Sequence, residues 1–310
     1  MRLACLSVDL DEIPCYTAIH GLEAPDGDTA HAVYRKALPR LTELFEEERV
    51  PATFFVIGRD TEPRGNASAL AELRRRGHEI GNHSQSHHYD LTRRGRDVIA
   101  REVTEAQAAI ESAVGERPRG FRAPGYTVTD ELFGVLAEVG MAWDSSVFPC
   151  PSYWSLKAAA LALIRARGRE SRSILDDPRV LGAPADPYRV GSPYWNRGDG
   201  LLELPIGVTR DATGRLPFIG TSVVHAGPRG AAWLARLASG RPLVNLELHG
   251  IDLADAHEDG LTSLARHQPD LRIAVAKKAA ALRATIERLR SDGYRFVTLS
   301  EAAAEIAAQP

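Results

Sequence analysis

The stretch Gly77-His78-Glu79-Ile80-Gly81-Asn82-His83-Ser84-Gln85-Ser86-His87 joins a short strand to a pair of histidines. Residues 77–82 are bounded by glycine and predict a strand that delivers His83 to a loop or to the start of a helix. On a helix, imidazoles four residues apart lie on one side of a single turn. Two imidazoles placed in this way can bind one divalent metal ion. Solvated helices also carry such pairs, so the rest of the chain must support a metal site.

The composition is that of an ordinary soluble globular protein. The chain has 310 residues, of which 44% are hydrophobic and 25% are charged. This length suits one large α/β barrel or two ordinary domains. The net charge of −3 gives no electrostatic case for nucleic-acid binding.

The cysteines and the start of the chain bear on the cellular compartment. Cys5, Cys15 and Cys150 are too scattered for a disulfide framework or a zinc knuckle. The first residues reach Asp9 too soon for a signal peptide. No segment approaches the ~18 consecutive apolar residues of a membrane-spanning helix. We therefore expect a cytoplasmic protein without a transmembrane segment.

Strand and helix patterns alternate along the whole chain. Apolar runs predict strands at 3–8, 50–56, 77–82, 118–122, 141–146, 201–206, 243–249 and 296–299. Helical periodicity predicts helices at 30–48, 67–76, 97–114, 129–139, 156–167, 228–238 and 270–291, with 16–29 as a loop and Ser300 capping a last helix. Such alternation predicts a mostly parallel sheet covered by helices.

We predict a single domain over residues 1–310 that closes like a barrel, with an open doubly wound sheet as the alternative. No Gly-x-Gly-x2-Gly or P-loop motif lies where a nucleotide-binding fold would place one. The irregular, proline-rich segment at about 150–194 is interpreted as an insertion over the site or as one of its walls. Its apolar run 158–164, followed by Arg165, Arg167 and Arg169, suits a membrane face or packing onto the barrel.

Five predicted strands end in chemically capable groups: Asp9 and Asp11, His83 and His87, Arg122, Asp144, and His249. A barrel gathers its strand ends on one face. Two neutral imidazoles and one carboxylate make a three-ligand metal site with open positions. A second carboxylate can take a proton from water, an arginine keeps it ionised, and a histidine protonates the leaving nitrogen. This set predicts metal-assisted hydrolysis of an amide.

The motifs resemble those of the polysaccharide deacetylases, also called NodB-homology proteins or carbohydrate esterase family 4. The matching pieces, in the family's order, are Ser7-Val8-Asp9-Leu10-Asp11, His83-Ser84-Gln85-Ser86-His87, Arg122-Ala123-Pro124-Gly125-Tyr126 and Leu246-Glu247-Leu248-His249. They span residues 7–249, so the resemblance covers most of the chain. It implies a distorted (β/α) barrel with fewer than eight full units.

The resemblance also implies roles for these residues. Asp11, His83 and His87 would bind one divalent metal ion, with zinc as the first candidate. Asp9 would be the general base, held by Arg122. His249 would be the general acid. Main-chain N–H groups near Tyr126 would help to hold the oxyanion, where each donor contributes ~3 kcal/mol.

The chain departs from the common family pattern in three places. Its first motif is Asp-x-Asp rather than adjacent aspartates, as in a branch with peptidoglycan deacetylase-like, allantoinase-like and lipid-linked aminoarabinose deformylase-like members. Gly125 is an extra residue before Tyr126. The motif that orients the acid is weakly matched, and Asp144 beside Trp143 is our candidate for it. Glu247 shares a strand face with His249 and is interpreted as part of a structural ion pair.

The expected function is that of a carbohydrate N-deacetylase, a hydrolase of linear amides. It would remove an acetyl or formyl group from an amino sugar, with lipid-linked and nucleotide-linked sugars as candidate substrates. Tyr126 and Trp143 are the predicted substrate contacts. The first alternative is an allantoinase-like amidohydrolase of small molecules, which can work without a tightly held metal. The second is a barrel that binds sugar without turning it over. The sequence leaves the oligomeric state open.

Overall fold

The computed structural model describes residues 2–62 and 65–308. Nine strands form one sheet: β1 Leu3–Asp9, β2 Thr53–Val56, β3 Glu79–Asn82, β4 Gly120–Phe121, β5 Trp143–Asp144, β6 Tyr188–Val190, β7 Arg197–Glu203, β8 Leu243–His249 and β9 Arg295–Phe296. Their order is β6-β7-β5-β4-β3-β2-β1-β8, and β9 also pairs with β1. Every pairing is parallel except that of β6 with β7.

Helices connect most of these strands. They are α1 Ile13–Ile19, α2 Gly27–Ala30, α3 Leu38–Glu47, α4 Asn66–Arg75, α5 Arg96–Val114, α6 Asp130–Glu138, α7 Pro151–Ala166, α8 Gly220–Ala238, α9 Val275–Ser291 and α10 Leu299–Ala307. A π-helical turn, Val33–Ala37, leads directly into α3. In the described part of the chain, none of these helices is both long enough and apolar enough to cross a bilayer.

The first strand lies between β2 and β8 in the sheet and also pairs with β9. Every residue of β1 is buried, as expected of a parallel strand covered on both faces. In its pairing with β2 and β8, Asp9 lies opposite Phe55 and His249. The same register brings Phe55 beside Gly81 on β3, where an added Cβ would lie 2.7 Å from the Phe55 ring. Glycine therefore allows the close approach that aligns these strand ends.

Between β7 and β8, the barrel is closed by a segment without regular secondary structure. In the described part of the chain, no strand pairing joins β7 to β8. Instead, Gly207 N donates to Asn245 O on β8 at 2.8 Å, and Ile206 N donates to Val147 O at 3.0 Å. The Asn245 side chain donates back to Leu204 O at 3.4 Å. The predicted distorted (β/α) barrel is confirmed, with this segment in place of a strand pair.

Several local predictions differ from the structure. The predicted loop at 16–29 begins inside α1, which has Pro14 in its first turn, where a missing N–H costs nothing. The last helix is capped by Thr298 rather than Ser300, because Thr298 Oγ1 accepts from Glu301 N at 3.3 Å and the Glu301 carboxylate accepts from Thr298 N at 2.8 Å. Thr129, the first residue of the helix predicted at 129–139, caps α6, since its Oγ1 accepts from Leu132 N at 3.2 Å.

The segment at 150–194 begins with α7 and ends with β6, the antiparallel edge strand. Helix α7 supplies one wall of the cavity described below. At the other end of the described chain, β9 pairs with β1, so both ends contribute to the same sheet. The organisation of residues 1–310 as one domain stays a prediction.

Candidate metal centre and active site

The carboxyl ends of the parallel strands bring the predicted site residues together. Asp9 is the last residue of β1, and Asp11 follows two positions later. His83 comes directly after β3, Arg122 directly after β4, and His249 ends β8. Each strand is too short to hold a site by itself. Their common direction places these five side chains at one end of the barrel.

Asp11, His83 and His87 form a compact group of metal-binding character. The Nε2 atoms of His83 and His87 each lie 3.3 Å from Asp11 Oδ1. One ligand atom from each of the three residues lies within 4.8 Å of the others. All three side chains are buried. Burial raises the pKa of Asp11, but the adjacent His87 and His83 outweigh it and hold this pKa well below its usual range.

The two histidines lie on a loop, which is one of the two predicted alternatives, and not at the start of a helix. Ser84 and His87 have φ angles of 64° and 52°, in the left-handed region. Asn82 Oδ1 accepts from Ser84 N at 2.9 Å, and Ser84 Oγ accepts from His87 N at 3.0 Å. These local side-chain bonds replace the helical hydrogen bonds and fold the loop back. They turn the His87 ring beside the His83 ring, with centroids 4.8 Å apart.

The donor set fits a divalent metal ion. His83 Nδ1 lies 2.8 Å from Arg122 O, which makes Nδ1 the donor and leaves the lone pair of Nε2 facing Asp11. Asp11 Oδ1 and both ring nitrogens of His87 are buried without a hydrogen-bond partner in the described part of the chain. Buried polar atoms without partners are costly. A cation held by Asp11, His83 and His87 satisfies the carboxylate and one nitrogen of each ring.

A second group begins with the ion pair of Asp9 and Arg122. Arg122 Nη1 donates to Asp9 Oδ1 at 2.8 Å. Its other N–H groups donate to Ser145 O at 2.8 Å, Ser145 Oγ at 2.8 Å and Ser7 Oγ at 3.0 Å. The guanidinium also lies 4.2 Å from the centroid of the Phe55 ring. Burying an arginine costs several kcal/mol unless its donors are used, so this network fixes both charges in place.

His249 faces Asp9 from β8. Its Nδ1 lies 2.9 Å from Glu247 Oε1, and its Nε2 lies 3.3 Å from the Tyr126 hydroxyl. Burial lowers the pKa of His249, but the Glu247 carboxylate outweighs burial and holds this pKa well above its usual value. This pKa favours the charged imidazolium, which forms an ion pair with Glu247 through its Nδ1 side and turns Nε2 towards the Tyr126 hydroxyl.

The prediction that Asp144 orients His249 is wrong. Asp144 lies opposite Glu203 in the pairing of β5 with β7, and its oxygens accept from Ser146 N and Ser146 Oγ at 2.9 Å. Glu247 makes the bond to His249 instead. The ion-pair interpretation of Glu247 was right, and its partner is the catalytic candidate itself. The two-residue spacing on one strand face was the available signal.

The prediction that Trp143 contacts substrate is also wrong. Its ring packs on Gly120, where an added Cβ would lie 2.0 Å from the indole, and on Phe55 at a centroid distance of 6.0 Å. Its Nε1 donates to Ser300 Oγ at 3.0 Å, at the amino end of α10. Trp143 therefore fills the barrel interior towards the end opposite the site.

Tyr126 contributes its hydroxyl rather than its main-chain N–H. The N–H of Tyr126 donates to Ala123 O at 3.1 Å, so it is engaged in a turn. The predicted oxyanion donor at this residue is therefore already used. The ring faces the cavity, and its hydroxyl lies beside His249. Tyr126 stays a predicted substrate contact on this side of the site.

One cavity of about 160 Å³ opens onto both groups. Asp9, Asp11, His83, His249 and Tyr126 lie at its base. Its walls are aromatic and apolar, and they are formed by Ile19, Tyr89, Tyr153, Leu161 and Ile164, among others. A small cavity with few converging polar groups is typical of a site for a small ligand or for one unit of a polymer.

Lys157 also lines the cavity, and it was not among the predicted site residues. Its Nζ donates to Gly125 O at 3.0 Å, and burial lowers the pKa of its ammonium group to about 8. A single lysine in an apolar helix carries no motif. Only the packing of α7 against residues 125 and 126 brings this charge to the site.

Comparison with known proteins gives a family match. Residues 26–143 match the family model described as polysaccharide deacetylase. This range contains His83, His87 and Arg122, and it excludes Asp9, Asp11 and His249.

Two curated relatives match over part of their length. A chitooligosaccharide deacetylase from Sinorhizobium fredii is 35% identical over 133 residues, which is 41% of this chain and 60% of the relative. A peptidoglycan deacetylase from Helicobacter pylori is 25% identical over 150 residues, which is 47% of this chain and 49% of the relative. The chain thus spans between about half and three fifths of these relatives.

A solved structure supports the fold over a longer range. It is the Xyl-CE4 domain of a multidomain xylanase from the hindgut metagenome of Trinervitermes trinervoides, with a TM-score of 0.52 and 17% identity. The alignment covers 100% of this chain and 93% of that domain. At this identity the likeness concerns the fold alone. The family model, the curated relatives and the in-order motifs agree, and the chain is therefore similar to polysaccharide deacetylases over the matched residues.

Proposed function

We propose that the protein is a metal-dependent hydrolase that removes an N-acyl group, acetyl in the first instance, from an amino sugar. One observation carries this proposal. One small cavity is lined by Asp11 and His83 of the ligand group, by Asp9 of the pair with Arg122, and by His249 of the pair with Glu247. Ligands, base and acid are thereby within reach of a single amide bond.

Asp11, His83 and His87 would hold the metal ion, and Zn²⁺ is our candidate because two imidazoles and one carboxylate suit it. When bound, such an ion supplies Lewis acidity that polarises an amide carbonyl and lowers the pKa of water. The second ring nitrogen of His83 is held by Arg122 O at 2.8 Å. This outer contact fixes the ring in the orientation that a ligand needs.

Asp9 is the proposed general base. Arg122 donates to its Oδ1 at 2.8 Å, while its Oδ2 lies 3.8 Å from His83 Nε2 and faces the ligand group. The ion pair orients the carboxylate inside the barrel and leaves one oxygen free to accept a proton from the attacking water. Arg122 touches only Asp9 and the barrel lining, so it acts through Asp9 as a positioning residue.

His249 is the proposed general acid. Glu247 at 2.9 Å keeps the imidazolium charged and orients it, so that Nε2–H faces the cavity. It can then give its proton to the sugar nitrogen as the carbon–nitrogen bond breaks. The Tyr126 hydroxyl lies 3.3 Å from Nε2. Before substrate binds, it can accept the hydrogen bond from Nε2–H.

The names of the curated relatives suggest the first substrates to try. Those relatives are a chitooligosaccharide deacetylase and a peptidoglycan deacetylase, so oligomers of N-acetylglucosamine are the first probes. Lipid-linked and nucleotide-linked amino sugars remain candidates from the sequence. The cytoplasmic location also stays a prediction.

The test is release of acetate from chitopentaose by the zinc-loaded protein, with Asp9→Asn as the inactive control. A panel of cyclic ureides is assayed in parallel. Acetate release that Asp9→Asn abolishes supports the proposal. Turnover of ureides alone would replace it by an allantoinase-like activity. Tight binding of N-acyl sugars without turnover would leave a binding barrel.

A further inference from the structure

Helix α7 carries an apolar stripe that nothing in the described structure covers. The exposed residues of this stripe, at spacings that follow one helix face, are Leu156, Ala159, Ala162, Leu163 and Ala166. None of the 16 residues of α7 is buried. In the described part of the chain, three large hydrophobic side chains are exposed, and two of them are Leu156 at 69% and Leu163 at 51%. The third is Trp233 on α8, at 56%.

The inner face of the same helix forms a wall of the active-site cavity. Lys157, Leu161 and Ile164 line that cavity together with Asp9 and His249. The stripe and the cavity thus lie on the two faces of one helix. Whatever covers the stripe comes to lie at the mouth of the site.

Positive charge follows the stripe directly. Residues 165–172 contain four exposed arginines and one acidic residue: Arg165, Arg167, Arg169, Arg172 and Glu170. None of the four arginines forms an ion pair within the described ranges. Helix α7 itself contains no aspartate or glutamate.

The arginines extend to a second basic element beside the cavity. The pKa of His267 is lowered by burial first, then by His20, Arg169, Arg167 and Arg266, so these charges lie near one another. The rings of His20 and His267 are 5.4 Å apart, and His20 lines the cavity. The end of α7 and residues 266–267 therefore form a basic rim on one side of the cavity mouth.

We propose that α7 docks on the surface of a lipid bilayer that contains anionic phospholipids. A helix with an apolar face and flanking arginines lies in the interface, with its side chains in the acyl boundary and its cations on the lipid phosphates. The charge of the rim matches an anionic surface. A second copy of the chain could cover the leucines, but it would leave the arginines beside them without an anionic partner on α7, since α7 contains no acidic residue.

This docking does not depend on the proposed deacetylation. It gives the cavity an orientation, since the mouth lined by α7 then faces the headgroups. Two leucines are a small apolar area, so we expect neither the stripe nor the arginines to suffice alone. Binding should therefore depend on both anionic lipid and low salt.

The experiment is co-sedimentation of the full chain with vesicles of phosphatidylcholine alone or mixed with phosphatidylglycerol. We expect binding to the mixed vesicles, weakened by salt, and none to phosphatidylcholine. Leu156→Ser/Leu163→Ser should weaken binding at least about ten-fold. Arg165→Gln/Arg167→Gln/Arg169→Gln should weaken it about 100-fold, at about five-fold per arginine. Trp233→Ser is the matched control, a comparable exposed hydrophobic side chain on another helix, and should bind as the wild type does.

Failure of the wild-type protein to bind mixed vesicles at low salt would overturn the proposal. Binding that survives both α7 variants would overturn it too. A concentration-dependent increase in mass that Leu156→Ser/Leu163→Ser abolishes, without vesicle binding, would assign the stripe to a second copy instead. His83→Ala/His87→Ala should keep vesicle binding intact, which separates this test from that of the catalytic site.

Discussion

Two groups of carboxylates and imidazoles face each other across the cavity, and they are built in opposite proportions. Asp11, His83 and His87 combine one acid with two histidines. Asp9, Glu247 and His249 combine two acids with one histidine. By distance alone, either set has three donor atoms close enough to bind a metal ion.

Charge balance separates the two groups. In the second, the Arg122 guanidinium pairs with Asp9 at 2.8 Å, and the His249 imidazolium pairs with Glu247 at 2.9 Å. Two negative charges thus meet two positive charges within the group. In the first, Asp11 faces the rings of His83 and His87, and no arginine or lysine pairs with it among the described residues. A buried charge without a partner is costly, so the first group needs a cation and the second does not.

The largest expected effect follows from removing the ligands. His83→Ala/His87→Ala should lose the metal ion, from about one equivalent per chain to background, because one carboxylate cannot hold it. Activity should fall at least about 10³-fold, since Lewis acidity supplies several kcal/mol to the transition state. Metal content by mass spectrometry of the elements, with acetate release in parallel, checks both. Retention of the metal by this double variant would place it in the second group and reverse the comparison.

Asp9→Asn tests the second group from its acidic side. The amide oxygen keeps the hydrogen bond from Arg122, but it cannot accept a proton, so kcat should fall about 10²- to 10³-fold. The metal content should stay near that of the wild type, because Asp9 is already paired. Loss of metal from Asp9→Asn would mean that Asp9 is a ligand and not a base.

Most residues of this site could be predicted from the sequence. Buried parallel strands appear as apolar runs, and the polar residues that end them must meet at one end of a barrel. That rule alone, before any family motif, brought together Asp9, Asp11, His83, Arg122 and His249. Their convergence is a property of strand direction, which the alternation of strands and helices predicts.

What the sequence did not reveal depends on individual side-chain contacts. The sequence left open whether His83 begins a loop or a helix, and a loop forms because the Asn82 and Ser84 side chains accept hydrogen bonds from the nearby backbone. Asp144 was chosen over Glu247 because a motif was expected there, yet cross-strand pairing turns Asp144 to Glu203. The role of Lys157 depends on how α7 packs, and no pattern in residues 150–194 encodes that packing.

Glu247→Gln tests the control of the acid His249 in the second group, and its expected effect is smaller. The carboxylate holds the pKa of His249 well above its usual value, so removing the charge should lower that pKa. Activity that needs the imidazolium is present below this pKa and is lost as pH rises through it. The alkaline limb of the kcat profile should therefore move to lower pH, with about a 10- to 100-fold loss at neutral pH.

The pH profile distinguishes this from a merely structural role. Glu247→Asp should keep the charge and restore part of the alkaline limb, while metal content stays unchanged in both variants. If the alkaline limb of the pH profile did not shift in Glu247→Gln, at any level of activity, Glu247 would not control the pKa of the acid His249.

The smallest effect concerns a third pair of carboxyl groups, Asp144 and Glu203, which belongs to neither of the two groups. Asp144 and Glu203 share a hydrogen bond in the barrel wall, and both are fully buried. Burial first, followed for Glu203 by the neighbouring Asp144 charge, raises the pKa of Glu203 well above its usual value and that of Asp144 to about 6. These two carboxyl groups bind protons more tightly in the folded state than in the unfolded state. At low pH both are protonated, and the pair costs no stability. The free energy of unfolding falls as pH rises from about 4 through about 6.

Glu203→Gln should therefore raise the free energy of unfolding at pH 8 by about 1 to 3 kcal/mol and change it little at pH 5. The amide oxygen can still accept from Val147 N, which bonds Glu203 Oε1 at 3.0 Å, and the amide nitrogen can donate to Asp144. Urea unfolding at the two pH values measures the effect. Glu105→Gln, at an exposed position, is the control, and it should leave the free energy of unfolding nearly unchanged at both pH values. If Glu203→Gln were instead less stable at pH 8, the ionised pair would be stabilised by Arg122. Asp144 and Glu203 would then belong to the second group, in which positive and negative charges balance.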